Sequence, residues 1–142
     1  MKLVDANVLL YAVNTDTEHH VRSRAWLDQA LSGRDTVGFA WIALLAFLRL
    51  STKAGLFPRP LSPPEALDRV DAWLAARPAV LLQPGPAHGR LLRSLLDTSG
   101  AAGNLVNDAH LAALALEHKA TVISYDDDFG RFPGVRWQRP DA

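Results

Sequence analysis

The sequence predicts an α/β fold with a mostly parallel sheet between helices. Three observations carry that prediction. Short apolar stretches alternate with longer stretches of helical periodicity along the chain. Acidic residues follow the apolar stretches, where ligands gather in such sheets. With 142 residues, 49% apolar and 21% charged, the chain suits one domain with a sizeable core.

Lys2-Leu3-Val4 reads as a short buried strand that ends at Asp5. Residues 7–13 are apolar and helical. Residues 18–31 place Val21, Ala25, Leu27 or Leu31 at helical spacing, and Ser32-Gly33 stops them. Residues 36–40 form a second strand, and 41–52 an apolar helix. Pro58, Pro60, Pro63 and Pro64 mark a loop. Ser62 caps a helix over 63–76, with Glu65 three residues on and proline in the first turn. Residues 79–82 form an apolar third strand, closed by Pro84-Gly85-Pro86, and 87–97 a helix. An Ala- and Leu-rich helix runs over 104–119. Residues 121–124 form a fourth strand and 135–137 a short fifth.

Composition removes several function classes. The chain has no Cys, so disulfides, thiolate metal sites and a cysteine nucleophile are excluded together. Residues 1–71 carry eight basic and eight acidic residues, and residues 72–142 carry seven of each. Neither half is a polycationic handle, so binding a polyanion requires charge segregated in space or metal ions. Asp5 and Asn7 interrupt the first apolar stretch, so no signal segment is expected. The longest apolar run, residues 39–48, is about half a membrane span. A cytoplasmic protein without membrane contact is the expectation. No P-loop, no G-x-G-x-x-G and no G-x-S-x-G elbow occurs, and no H-x-x-x-H pair stands ready for zinc.

The acidic residues remain. Asp5 closes the first strand, Asp108 lies in the first turn of the Ala-rich helix, and Asp126, Asp127 and Asp128 follow the fourth strand. Singly, each has a plain account: a helix cap, a dipole-favoured carboxylate, a solvated turn. Gathered at one sheet edge, they repel one another and call for a cation. Oxygen donors of this kind suit Mg²⁺ or Mn²⁺. Such an ion lowers the pKa of a water and offsets charge on a phosphodiester.

These residues resemble a known family. Leu3-Val4-Asp5-Ala6-Asn7-Val8-Leu9-Leu10-Tyr11-Ala12 resembles the opening of PIN domains. Asn107-Asp108-Ala109-His110-Leu111-Ala112 resembles their third acidic motif, and Ser124-Tyr125-Asp126-Asp127-Asp128-Phe129 their closing one. Trp41, Phe47-Leu48-Arg49-Leu50-Ser51-Thr52 and Phe57-Pro58-Arg59-Pro60 are similar to one subgroup of the VapC branch, the toxins of VapBC toxin–antitoxin modules.

The resemblance implies a three-layer α/β/α sandwich over residues 1–142 and a Mg²⁺- or Mn²⁺-dependent endoribonuclease. It also implies tRNA or ribosomal RNA as substrate, a VapB-type antitoxin and a homodimer. Position by position it makes Asp5, Asp108 and Asp126 the metal ligands, Asp128 an assisting catalytic carboxylate, and Asn7 a support for Asp5. One departure stands out. Most PIN domains place a Glu where this chain has Ala46, and no Glu or Asp occurs from 36 to 62. That motivates an alternative, a degenerate module that binds RNA or a partner without cutting. A receiver-like domain with an Asp nucleophile lacks its late Lys. Arg49 is open between a structural side chain and a phosphate contact.

Overall fold

In the computed structural model, which describes residues 1–140, Lys2–Val4 (β1) is the central strand of a five-stranded sheet. Val37–Phe39 (β2) pairs on one side, with Ala79–Leu81 (β3) at the edge beyond it. Thr121–Ile123 (β4) pairs on the other side, with Trp137–Gln138 (β5) outermost. These pairings are parallel, and the order is β3-β2-β1-β4-β5. The direction of winding therefore reverses between β1 and β4, where a crevice opens at the carboxyl ends of the strands.

Strand alternation assigns the two faces. Val4, Val37, Phe39 and Ile123 point to one side, against Ala6–Val13 (α1), His20–Leu31 (α2), Trp41–Ser51 (α3) and Pro63–Ala75 (α4). Leu3 and Val122 point to the other, against His88–Ser99 (α5) and Leu105–His118 (α6). The result is the expected α/β/α sandwich. Ala109, Ala112, Ala113 and Ala115 of α6 are all buried, and their small side chains let that helix lie close to the sheet.

Local rules act as the sequence implies. Ser62 Oγ accepts the Glu65 N–H, and the Glu65 carboxylate accepts the Ser62 N–H, a complete capping box at α4. Two element starts move by two residues. α2 begins at His20 because Thr17 holds a turn, its hydroxyl taking the His19 N–H and its carbonyl the His20 N–H. β5 lies at Trp137–Gln138, two residues later than expected. Gly134 turns at φ 78° and the Val135 N–H bonds to Phe132, so the ladder starts only where Val122 N–H meets Arg136 O. β3 leaves Val80 and Leu81 exposed, because an edge strand has one neighbour.

Phe47 sits at the centre of the four-helix face, fully buried, its ring 4.8 Å from that of Trp73. Phe47→Ala is expected to cost about 3–5 kcal/mol. A urea titration checks this: the midpoint should fall with the slope unchanged.

Candidate metal centre

Strand register builds the site. Val4 pairs with Ile123, and the Asp5 N–H donates to Ile123 O at 3.0 Å, so Asp5 comes to rest beside Ser124. Ser124 is fully buried. Its hydroxyl donates to Asp5 Oδ2 at 2.7 Å and accepts from Asn7 Nδ2 and from the Asp126 N–H, each at 3.0 Å. Asn7 Oδ1 accepts the Tyr125 N–H at 3.2 Å. Asp5 Oδ1 takes the Ala6 N–H at 2.7 Å, so this residue caps α1 and faces the crevice at once. Asp126 Oδ1 accepts the Asp128 N–H at 2.9 Å and opens a 3-10 turn over Asp127–Arg131.

These contacts bring the carboxylates together. Among the described residues, Asp108, Asp126 and Asp128 each offer an oxygen within 4.8 Å of the others. Asp5 stands next to this trio and shares with Asp108 a cavity of about 100 Å³, walled by Ile42, Ala43, Ala46 and Leu111. Asp127 faces elsewhere, paired with Arg139 at 3.0 Å. Arg131 Nε lies 3.2 Å from Asp128 Oδ1.

The charge is under-compensated. Burial, then the carboxylates of Asp5, Asp126 and Asp128, push the Asp108 pKa up to about 7. Burial also raises that of Asp5, against the opposing pull of hydrogen bonds from Ser124 and Ala6. Oxygens on opposite sides of a Mg²⁺ are about 4.2 Å apart at its usual bond length. The trio offers three oxygens within 4.8 Å of one another, close enough to converge on one small hard divalent cation, and the donor set is all oxygen.

Two features were not assigned from the sequence. Ser124 joins Asp5, Asn7 and Asp126, a link between residues 119 apart that no local pattern announces. Tyr125 anchors the acidic loop to α2: its hydroxyl meets Ser23 Oγ at 2.8 Å, and its ring stacks on His19 at 4.4 Å. The other histidines lie apart from the carboxylates. His88 and His110 bond to each other at 2.9 Å between α5 and α6. Arg49 is exposed and makes no ion pair among the described residues. It lines a groove with Leu45, Leu48, Pro63 and Leu67, and a second opening with Ile42, Ala46 and Asn107 that leads to the acidic cavity.

The PIN domain family model matches residues 2–135. Ribonuclease VapC37 of Mycobacterium tuberculosis is 63% identical over 142 residues, covering 100% of this chain and 99% of its own. Ribonuclease VapC43 of the same species is 41% identical over 140 residues, covering 99% and 95%. Among solved structures, FitAcB of Neisseria gonorrhoeae superposes with a TM-score of 0.66 at 26% identity, covering 99% and 98%. VapBC2 of Rickettsia felis, bound to a promoter DNA fragment, gives 0.70 at 18% identity, covering 97% of each chain.

The raised pKa of Asp108 has a consequence for stability. A carboxyl whose pKa is higher folded than unfolded stabilises the fold below its unfolded value, and that contribution is lost as pH rises through the folded one. The metal-free protein should lose stability between about pH 4 and pH 7. Asp108→Asn should flatten much of that fall, and Mg²⁺ or Mn²⁺ should raise the parent's melting temperature more at pH 8 than at pH 5. Thermal melts across pH, in chelator and in metal, check both. A parent whose metal-free stability climbs from pH 5 to pH 8 contradicts the assignment.

Proposed function

Because the chain belongs to the PIN-domain family, we propose that it is a ribonuclease toxin of the VapC type, cutting RNA phosphodiester bonds with Mg²⁺ or Mn²⁺. The observation that carries this is the convergence of Asp108, Asp126 and Asp128, with Asp5 alongside, at the reversal of the sheet winding. Residues 1–142 are read as one PIN domain, of which the last two lie outside the described residues. Cytoplasmic action fits a chain in which no helix among the described residues is long and apolar enough to cross a membrane.

Asp5, Asp108 and Asp126 would hold the ion, with Asp128 completing the set. A divalent cation bound there supplies a Lewis acid that polarises a phosphate oxygen and lowers the pKa of a water. Ser124 and Asn7 fix the carboxylate of Asp5 and the backbone of Asp126, so the oxygens are ordered before the ligand arrives. Asp108, whose pKa is raised to about 7, would give up its proton in the neutral range if it held the ion. A tRNA or ribosomal RNA is the proposed substrate.

The acidic site and the apolar groove beside it also suit a VapB-type antitoxin. Leu45 and Leu67 are exposed at 58% and 44%, along the groove that opens toward Ala46 and Asn107, and Trp41 at the start of α3 is exposed as well. An amphipathic segment lying there would carry an Arg or Lys onto the carboxylates. A homodimer is the proposed assembly.

A second reading has one observation in its favour. Ala46 and its neighbours give the α3 side of the cavity an apolar wall with no carboxylate, as a binding module without cleavage would have.

Purified chain incubated with structured RNA should cut it in Mg²⁺ or Mn²⁺ and not in chelator. Asp5→Asn, Asp108→Asn and Asp126→Asn should each lower the rate at least about 100-fold, the scale of losing a ligand-shell contact. Metal-independent cutting, or full activity in these variants, rejects the site. RNA binding without cutting selects the second reading.

Light scattering addresses assembly. The chain alone should give twice its 15.5 kDa. Leu45→Asp should weaken antitoxin binding at least tenfold. A clean monomer rejects the dimer, and unaltered antitoxin affinity rejects the groove.

A further inference from the structure

An acidic centre repels the polyanion it is proposed to cut, and the chain as a whole has no net charge to offset this. Affinity for RNA must then come from cations placed elsewhere on the surface. We propose that a cavity at the far end of α1 is a second RNA contact, in which the guanidiniums of Arg59 and Arg69 hold a backbone phosphate of the strand. This rests on the ribonuclease reading and adds a substrate-binding subsite to it.

The cavity has a volume of about 460 Å³ and lies between the end of α1, the loop over 57–61, and α4. Arg59 and Arg69 both line it. Neither makes an ion pair among the described residues, and Glu65, one turn before Arg69 on α4, attracts it. Asp16 is the one carboxylate in the lining, and it is paired to neither guanidinium. Both arginines line one cavity outside any ion pair among the described residues, and a guanidinium fork is the side chain suited to a phosphate.

The cavity walls are held in place. Pro58 and Pro60 flank Arg59 and restrict the backbone on both sides of it. Phe57 is buried, and the Leu61 N–H donates to Ser51 O at 2.8 Å, so the loop is pinned at each end. Asn14, also buried, donates to Leu56 O at 3.4 Å and accepts the Asp16 N–H at 3.2 Å, tying the end of α1 to that loop. A side chain offered from a fixed loop loses less freedom on binding. The eight residues of α1 rise about 12 Å from the Asp5 end. A strand with one phosphate at the carboxylates can therefore place another, a few nucleotides away, at Arg59 and Arg69.

The test separates binding from cutting. In an Asp108→Asn background, a fluorescent single-stranded RNA is titrated across a salt series. The combined Arg59→Ala and Arg69→Ala change should reduce the slope of log affinity against log salt by about 0.7 if both guanidiniums share one phosphate, and about 1.4 if they hold two. The Arg→Lys pair should keep most of the slope, and Arg90→Ala with Arg93→Ala on α5 should leave it unchanged. In the active chain the Arg→Ala pair should raise KM and spare kcat. An unchanged slope overturns the proposal, as does loss of antitoxin binding with RNA binding intact, which makes the cavity a protein contact. Failure of the parent to cut RNA sinks the ribonuclease reading instead, and the slope is read without cleavage.

Discussion

Parallel pairing of β1 with β4 is the constraint on which the rest depends. Lys2, Leu3 and Val4 align with Thr121, Val122 and Ile123, and the two chains leave the sheet together. Asp5 and Ser124 are therefore neighbours although 119 residues separate them. A slip of one residue would turn Ser124 to the opposite face and break its bonds to Asp5, Asn7 and Asp126. The cores on both sides guard that register, since Val4 and Ile123 belong to one and Leu3 and Val122 to the other. Packing energy thus fixes polar geometry that hydrogen bonds alone would not hold against water.

Electrostatic cost is distributed unevenly over the carboxylates. Asp5 is given donors: the Ala6 N–H, the Ser124 hydroxyl and, more distantly, Asn7. Asp126 spends one oxygen on the backbone of the turn that follows it. Asp128 has Arg131. Asp108 receives no comparable donor, and burial together with three like charges raises its pKa to about 7. A small protein accepts such a cost where function needs it and offsets it by burial elsewhere. α6 shows both sides of this, with Asp108 in its first turn and a run of buried alanines and leucines behind it.

What the sequence disclosed follows the range of the interactions involved. Strand and helix identities, and the capping box at Ser62, depend on neighbours within a few residues, and these were read correctly. The parallel sheet followed from the alternation of strands with helices, which supply the crossovers that parallel strands need. Less was open to reading where a distant partner or a turn intervenes. Thr17 delays α2, Gly134 delays β5, and Lys119 ends α6 in a left-handed conformation at φ 56° that residue type alone does not favour. The four aspartates of the site were visible by type and position. Their grouping was not: the tight trio takes in Asp128 and leaves Asp5 beside it, a matter of side-chain direction after a 3-10 turn. The role of Ser124 is not legible from its motif, because its partners Asp5 and Asn7 lie across the sheet.

The α3 helix connects the chemistry to its control. One face of it closes the acidic cavity with Ile42, Ala43 and Ala46, and the next stripe around it, through Leu45 and Arg49, forms the exposed groove. An acidic residue at position 46 would place a fifth carboxylate beside Asp5 and Asp108, where charge is already uncompensated. Alanine there keeps that wall neutral and makes it continuous with the apolar groove. A chain lying in the groove therefore reaches the carboxylates past Arg49 and over an otherwise mostly apolar surface, with no carboxylate of α3 in the way. Two separate demands, moderation of the negative charge and access for an apolar partner, are met by the same small side chain.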